Sequence, residues 1–142
     1  MTTAAPPLDA ARILVVDDER SMQEFLEIFL RSEGYSCATA GDLPSALLHL
    51  EGDDFDVVIT DIQMPGGSGL DLLRAVREQS PDALVIAITA FASTETAIAA
   101  MKEGAYDYIT KPFKVDEMRI VLEKALEKFV KTHGGKLKKK KK

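Results

Sequence analysis

The sequence predicts an α/β fold of the doubly wound type, a (βα)5 unit with a five-stranded parallel sheet in the order 2-1-3-4-5. Two observations predict this fold. Short β-branched runs alternate with segments of helical spacing along the chain. The strongest of these runs are apolar without interruption, which is typical of parallel strands covered on both faces. The length of 142 residues suits a single domain.

Five runs are predicted to be the strands of this sheet. They cover residues 13–16, 35–39, 57–60, 84–88 and 106–109. The second run, with the sequence YSCAT, is the weakest because it contains small and polar residues. Right-handed crossovers between these strands place helices on both faces of the sheet.

Apolar stripes with i, i+3, i+4 spacing predict one helix after each strand. The stripes cover residues 22–30, 43–50, 70–76, 93–103 and 115–129. The predicted helix boundaries rest on residues that commonly begin or end helices. These residues are Gly34 after the first helix, Asp42 before the second, Ser68 and Ser80-Pro81 around the third, Gly104 after the fourth and Asp116-Glu117 at the start of the fifth.

Composition excludes several classes of protein. A hydrophobic fraction of 46% excludes a wholly disordered chain. No apolar stretch approaches the roughly 18 residues that span a bilayer, and the first residues do not resemble a secretory signal. The single cysteine, Cys37, excludes an intramolecular disulfide and a cysteine-based zinc site. These features favour a cytoplasmic location, and Cys37 is expected to be a small core residue.

The charge is distributed unevenly. Residues 1–130 carry 23 acidic and 11 basic residues, whereas residues 131–142 carry 7 lysines and no acid. We therefore expect a disordered extension at 1–11, a domain at 12–131 and a flexible lysine-rich tail at 132–142. The acidic domain is a poor match for a nucleic-acid backbone. The tail is either a solvated or artificial end, or a segment that binds nucleic acid or an anionic membrane.

Chemically distinctive residues follow the predicted strands. Asp17 and Asp18 follow the first strand, Asp61 the third, Thr89 the fourth and Lys111 the fifth. The carboxyl ends of parallel strands meet at one edge of the sheet, and ligands bind there. Crowded carboxylates repel one another, and an all-oxygen group of this kind suits a hard cation such as Mg²⁺. With an ammonium and a hydroxyl added, the group can receive a phosphoryl group, and Asp61 is the best nucleophile candidate.

Each of these residues also has an ordinary structural interpretation. Asp17-Asp18 could cap a helix, and Asp61 before a Pro-Gly turn could be a turn-forming residue. Thr89 or Lys111 alone indicates almost nothing. Their joint occurrence at strand ends, in this order, is much harder to attribute to turn chemistry.

Five motifs are spread along the chain. They are Val15-Val16-Asp17-Asp18-Glu19, Asp61 to Gly66 with Gly69-Leu70, Ile88-Thr89-Ala90, Gly104-Ala105 and Lys111-Pro112-Phe113. With these motifs, residues 12 to about 130 closely resemble a receiver domain of bacterial two-component response regulators. The resemblance implies a flavodoxin-like fold, a role as a signalling phosphoacceptor rather than an enzyme, and a cis Lys111-Pro112 bond.

The resemblance implies a role for each acid. Asp61 accepts phosphate from a sensor histidine kinase or a phosphotransfer protein. Asp18, Asp61 and the backbone carbonyl of Gln63 bind Mg²⁺ (or Mn²⁺) directly, and Asp17 contributes through water. The domain is then expected to assist its own phosphorylation and dephosphorylation.

The resemblance also implies how the domain switches. Lys111 pairs with the phosphate and Thr89 hydrogen-bonds to it, so that Tyr108 rotates inward from solvent. Gln63 and Phe91 tune the lifetime of the phosphate. An ordinary half-exposed strand aromatic remains the alternative for Tyr108.

The output is expected to act through the face formed by helix 4, strand 5 and helix 5, which could also form a homodimer. Ala97, Ile98 and Met101 on helix 4 are either interface or core residues. The stretch from Thr89 to Phe113 is most similar to receivers of nitrogen-regulatory (NtrC-type) transcription activators. The chain is therefore either a stand-alone receiver or part of a longer regulator of transcription, and its acidic body is expected not to contact DNA directly.

Other functions fit the sequence less well. A phosphatase of the haloacid dehalogenase type would carry Asp-x-Asp after the first strand, whereas Asp17 and Asp18 are adjacent. A nucleotide-binding protein would carry G-x-G-x-x-G or a P-loop lysine after a strand, and neither is present. An interaction module of the same fold that is never phosphorylated remains open.

Overall fold

Strands and helices alternate in the computed structural model, which describes residues 11–62, 69–90 and 95–133. The strands are β1 (Arg12–Val16), β2 (Ser36–Ala40), β3 (Val57–Asp61), β4 (Leu84–Thr89) and β5 (Asp107–Thr110). The helices are α1 (Arg20–Ser32), α2 (Leu43–Gly52), α3 (Gly69–Gln79), α4 (Glu95–Lys102) and α5 (Val115–His133). All strand pairs are parallel and the sheet order is β2-β1-β3-β4-β5, which confirms the predicted fold class.

Helices cover both faces of the sheet. Alternate residues of the central strands point to opposite faces, so that Ile13 and Ile59 pack on one side and Leu14 and Val58 on the other. The first side buries residues of α1 and α5, and the second buries residues of α2, α3 and α4. This double covering explains why the strands are apolar at consecutive positions.

Gly34, Gly104 and Asp42 act at helix boundaries as predicted. Gly34 and Gly104 have φ angles of 93° and 106° after α1 and α4, a conformation that glycine adopts at little cost. Asp42 caps α2, since its Oδ1 accepts the N–H of Ser45 at 2.9 Å. These local signals are therefore confirmed.

Two strands begin one residue later than predicted. Tyr35 lies outside β2 because its N–H donates to the carbonyl of Leu30 and so completes the end of α1. Tyr106 precedes β5, whose first paired residue is Asp107 opposite Ile86.

Residues 1–10, 63–68, 91–94 and 134–142 lie outside the described residues. Among the residues with predicted roles, Gln63, Ser68 and Phe91 therefore remain predictions.

Cys37 is a buried core residue of β2, as predicted. Burial raises the pKa of its thiol to about 11, and the nearby Glu27 adds to this shift. The thiol is therefore protonated near neutral pH and weakly reactive. Separately, no helix within the described ranges is both long and apolar enough to cross a membrane.

Candidate functional site

The structure brings three carboxylates together at the carboxyl edge of the sheet. Asp17 and Asp18 follow β1, and Asp61 ends the neighbouring strand β3. One carboxylate oxygen from each residue lies within 4.8 Å of the others. Asp17 and Asp61 are buried, whereas Asp18 is exposed. The predicted cluster therefore forms, although Asp18 and Asp61 are 43 positions apart in sequence.

Asp17 is held rigidly by its neighbours. Its N–H donates to the carbonyl of Ala40 at 3.1 Å, and its carbonyl accepts Nε2 of Gln23 at 2.7 Å. Its Oδ1 accepts the N–H of Glu19 at 2.9 Å. Burial raises the pKa of Asp17, and the N–H of Glu19 and the ammonium of Lys111 offset this only in part. The fold thus maintains a carboxylate in a place that disfavours its charge.

Lys111 supplies the positive charge of the site. Its Nζ lies 3.0 Å from Oδ2 of Asp17, 3.0 Å from Oδ2 of Asp61 and 3.4 Å from Oε1 of Glu19. Burial alone would lower the pKa of Lys111, but the contacts with Asp61 and Asp17 outweigh it and raise that pKa. The ammonium therefore stays charged and partly neutralises the cluster. The Lys111-Pro112 peptide bond is cis, as expected.

Thr89 connects the acidic cluster to β5. It is fully buried at the end of β4, one residue beyond Ile88, which pairs with Asp61. Its carbonyl accepts the N–H of Lys111 at 2.8 Å, so the backbones of the two predicted phosphate ligands are joined directly. Tyr108, on β5, is partly exposed and borders an open groove of about 330 Å³ together with Ile120 and other residues of β5 and α5.

The backbone of Asp61 is approached closely by the start of α3. The N–H of Gly69 donates to the carbonyl of Ile62 at 2.6 Å. A Cβ at position 69 would lie 2.5 Å from the carbonyl oxygen of Asp61 and 2.6 Å from Cα of Ile62. Only glycine fits there without moving the chain, so Gly69 fixes how α3 packs against the site.

The donor set suits a hard divalent cation. All three carboxylates offer oxygen, and none of the clustered residues is a histidine or cysteine. Oδ2 of Asp17 is buried beside Lys111 but accepts no hydrogen bond from the part of the chain that the structure describes. A buried carboxylate oxygen in this situation is costly unless a cation or water satisfies it. The residues present therefore fit Mg²⁺.

Sequence reasoning missed two residues of the site. The sequence motif contains Glu19 but assigns it no role, although its side chain reaches Lys111 across 92 positions of sequence. Gln23 was missed altogether, although its side chain holds the carbonyl of Asp17. The signal for Gln23 was its position one turn into α1, directly after the acidic pair, where a polar side chain can reach back to the loop.

Comparisons with known proteins agree with this geometry. The family model described as "Response regulator receiver domain" matches residues 13–123. The alginate biosynthesis transcriptional regulatory protein AlgB of Pseudomonas aeruginosa is 40% identical over 116 residues, which cover 82% of this chain and 26% of that protein. The nitrogen assimilation regulatory protein NtrX of Azorhizobium caulinodans is 38% identical over 117 residues, covering 81% of this chain and 26% of that protein. The chain thus spans about a quarter of these relatives.

Solved structures show the same similarity. The beryllofluoride-activated NtrC4 receiver domain dimer has a TM-score of 0.78 and 39% identity, and the match covers 83% of this chain and 98% of that one. NtrX from Brucella abortus has a TM-score of 0.83 and 38% identity, with coverage of 88% and 28%.

Proposed function

We propose that this chain, which belongs to the response regulator receiver domain family, accepts a phosphoryl group on Asp61 from a sensor histidine kinase or a phosphotransfer protein. The modified domain then regulates a downstream output, and the name of the relative AlgB indicates that this output is transcription. The observation that carries the proposal is the contact of 3.0 Å between Nζ of Lys111 and Oδ2 of Asp61. In this contact the Asp61 carboxylate, the proposed nucleophile, lies next to the Lys111 ammonium, whose positive charge can stabilise a phosphoryl group.

Phosphoryl transfer to Asp61 forms one bond to phosphorus and breaks another. A carboxylate oxygen of Asp61 forms a new bond to phosphorus while the bond from phosphorus to the donor breaks, and the electron pair leaves with the donor. No proton has to be removed from Asp61, since the attacking group is already a carboxylate. Lys111 and Thr89 would bind the phosphoryl oxygens.

Mg²⁺ would be held by Asp18 and Asp61, with Asp17 contributing through water and Gln63 through its backbone carbonyl. Bound there, the cation supplies positive charge that offsets the carboxylates and the negative charge of the phosphoryl group. The protein itself supplies the nucleophile, its orientation and the Lys111 ammonium. Rigid support of Asp17 by Gln23 keeps this arrangement in place before the donor arrives.

The first test uses a small phosphodonor. Incubation with acetyl phosphate and Mg²⁺ is expected to add one phosphoryl group to the intact protein, measured by mass spectrometry, because the Asp61 carboxylate would act as the nucleophile beside the ammonium of Lys111. Chelation of the cation with EDTA should reduce the labelled fraction by at least about tenfold, since it removes the charge that Mg²⁺ provides. Labelling that is absent in Mg²⁺, or that is unaffected by EDTA, would contradict the proposal.

Signal transmission would run from Thr89 to Tyr108. Thr89 ends β4, and Tyr108 lies on the neighbouring strand β5. The carbonyl of Thr89 accepts a hydrogen bond from the N–H of Lys111. Movement of Thr89 toward a phosphoryl group would open space beside β5, and Tyr108 would rotate into that space. The surface of α4, β5 and α5 would then have two arrangements with different populations.

The same surface is proposed to form a homodimer after phosphorylation. Ile98 and Met101 of α4, Tyr108 of β5 and Ile120 of α5 are exposed, whereas Ala97 is buried in the core. An exposed apolar group of this kind is typical of an interaction surface. The similar NtrC4 receiver is described as a dimer in its activated form.

Ile120→Glu is expected to weaken self-association of the phosphorylated protein by at least about tenfold, since a charge replaces an apolar contact. Sedimentation equilibrium measures this effect. Leu48→Glu is the matched control, because Leu48 is also an exposed apolar residue, more exposed than Ile120, but lies on α2, away from this surface. Equal weakening by both substitutions, or a phosphorylated wild type that stays monomeric, would contradict the proposed interface.

A further inference from the structure

Carboxylate oxygens surround the ammonium of Lys111, the group proposed to bind an incoming phosphoryl group. Three carboxylate oxygens lie within 3.4 Å of Nζ. Oδ2 of Asp61 and Oε1 of Glu19 accept hydrogen bonds from it, whereas Oδ2 of Asp17 is an ion-pair contact at 3.0 Å without a hydrogen bond. The side chain is only 17% exposed, so water cannot easily replace a lost partner. A phosphoryl oxygen that approaches Lys111 therefore has to compete with these carboxylates for the ammonium.

The three partners differ in how firmly they are held. Asp17 is fully buried and fixed by three hydrogen bonds, so its position is set by the fold. Asp61 is the group that receives the phosphoryl group and stays in the site. Glu19 makes the longest of the three contacts, at 3.4 Å, and its side chain is 59% exposed. An exposed ion pair of this kind is weak, so Glu19 is the partner that leaves most easily.

We propose that Glu19 is a positioning residue that occupies the phosphate-binding donor of Lys111 in the unphosphorylated protein and is displaced when phosphate arrives; this rests on the proposed role of Asp61 as phosphoacceptor. The carboxylate of Glu19 thus mimics one phosphoryl oxygen. It holds the ammonium in place before transfer, and it slows transfer because it has to be displaced. The start of α1 does not depend on the Glu19 side chain, because that side chain makes no capping hydrogen bond.

The test compares initial rates of phosphorylation by acetyl phosphate at a saturating Mg²⁺ concentration, established for each variant by titration. Glu19→Gln is expected to react about two- to fivefold faster than the wild type, a gain that matches loss of one exposed ion pair. Glu19→Asp keeps the charge but shortens the side chain by about 1.5 Å, which removes the contact. It should therefore show at least half of the same gain, and both variants should keep the melting temperature of the wild type.

The matched control is Glu24→Gln. Glu24 lies on α1, is exposed to a similar degree as Glu19 and pairs with Arg20 rather than with the site, so the rate of this variant should equal that of the wild type. The proposal is overturned if Glu19→Gln is no faster than the wild type, if Glu24→Gln is equally fast, or if Glu19→Asp retains the wild-type rate while Glu19→Gln is faster. If the wild type is labelled, any of these results contradicts the role of Glu19 but leaves the phosphoacceptor role of Asp61 intact. If neither the wild type nor any variant is labelled, the phosphoacceptor role itself is contradicted.

Discussion

Asp61→Asn is expected to reduce phosphorylation by acetyl phosphate and Mg²⁺ to below about one per cent of the wild-type rate, because it removes the nucleophile. The amide of asparagine has nearly the shape of the carboxylate, but its oxygen is a far weaker nucleophile. The variant should remain folded, since Asp61 ends β3 and its backbone pairing with Ile88 does not depend on the side chain. Mass spectrometry of the intact protein measures the labelled fraction, and circular dichroism checks the fold.

Asp54→Asn is the matched control for this substitution. It makes the same chemical change at an exposed acid between α2 and β3, at the opposite edge of the sheet from the cluster. Its labelling should be indistinguishable from that of the wild type. Labelling of the Asp61→Asn variant at the wild-type rate would mean that another residue accepts the phosphoryl group.

Gly69→Ala is expected to lower the free energy of unfolding by about 2–4 kcal/mol, because its Cβ would overlap backbone atoms that cannot move cheaply. The added carbon would lie 2.5 Å from the carbonyl oxygen of Asp61 and 2.6 Å from Cα of Ile62. Relief of that overlap requires α3 or the end of β3 to shift, so the molecules that fold should also be phosphorylated more slowly. Denaturant unfolding measures the first effect, and labelling with acetyl phosphate measures the second.

Gly52→Ala provides the comparison for Gly69→Ala. A Cβ at position 52, the last residue of α2, would meet no atom within 4 Å. This substitution should not destabilise the protein and should raise the free energy of unfolding by up to about 1 kcal/mol, because alanine restricts the unfolded chain. If Gly69→Ala is as mild as Gly52→Ala, then the close approach of α3 to Asp61 is not tight, and Gly69 does not fix the site.

Much of the fold was predictable because its signals are local. Apolar runs predicted the strands, and Gly34, Asp42 and Gly104 marked helix ends through their own backbone chemistry. The positions of Asp17 and Asp61 followed from strand order alone, since residues at the carboxyl ends of neighbouring parallel strands have to be close.

What could not be predicted depends on the paths of side chains and on close backbone contacts. The contact of Glu19 with Lys111 requires a particular side-chain conformation across a loop, and no periodic pattern encodes it. The tight approach of Gly69 to Asp61 likewise depends on how α3 packs. The start of β2 was one residue off because Tyr35 is used by the end of α1, a competition that strand propensity does not include.

Chemical identification of the phosphorylated residue decides whether Asp61 is the phosphoacceptor. Borohydride reduces an aspartyl phosphate to homoserine, so the protein labelled with acetyl phosphate and Mg²⁺ can be reduced, digested and sequenced by mass spectrometry. We expect homoserine at position 61 and at no other position. Homoserine at position 17 or 18, or its absence from a labelled protein, would show that the acidic cluster does not work as proposed.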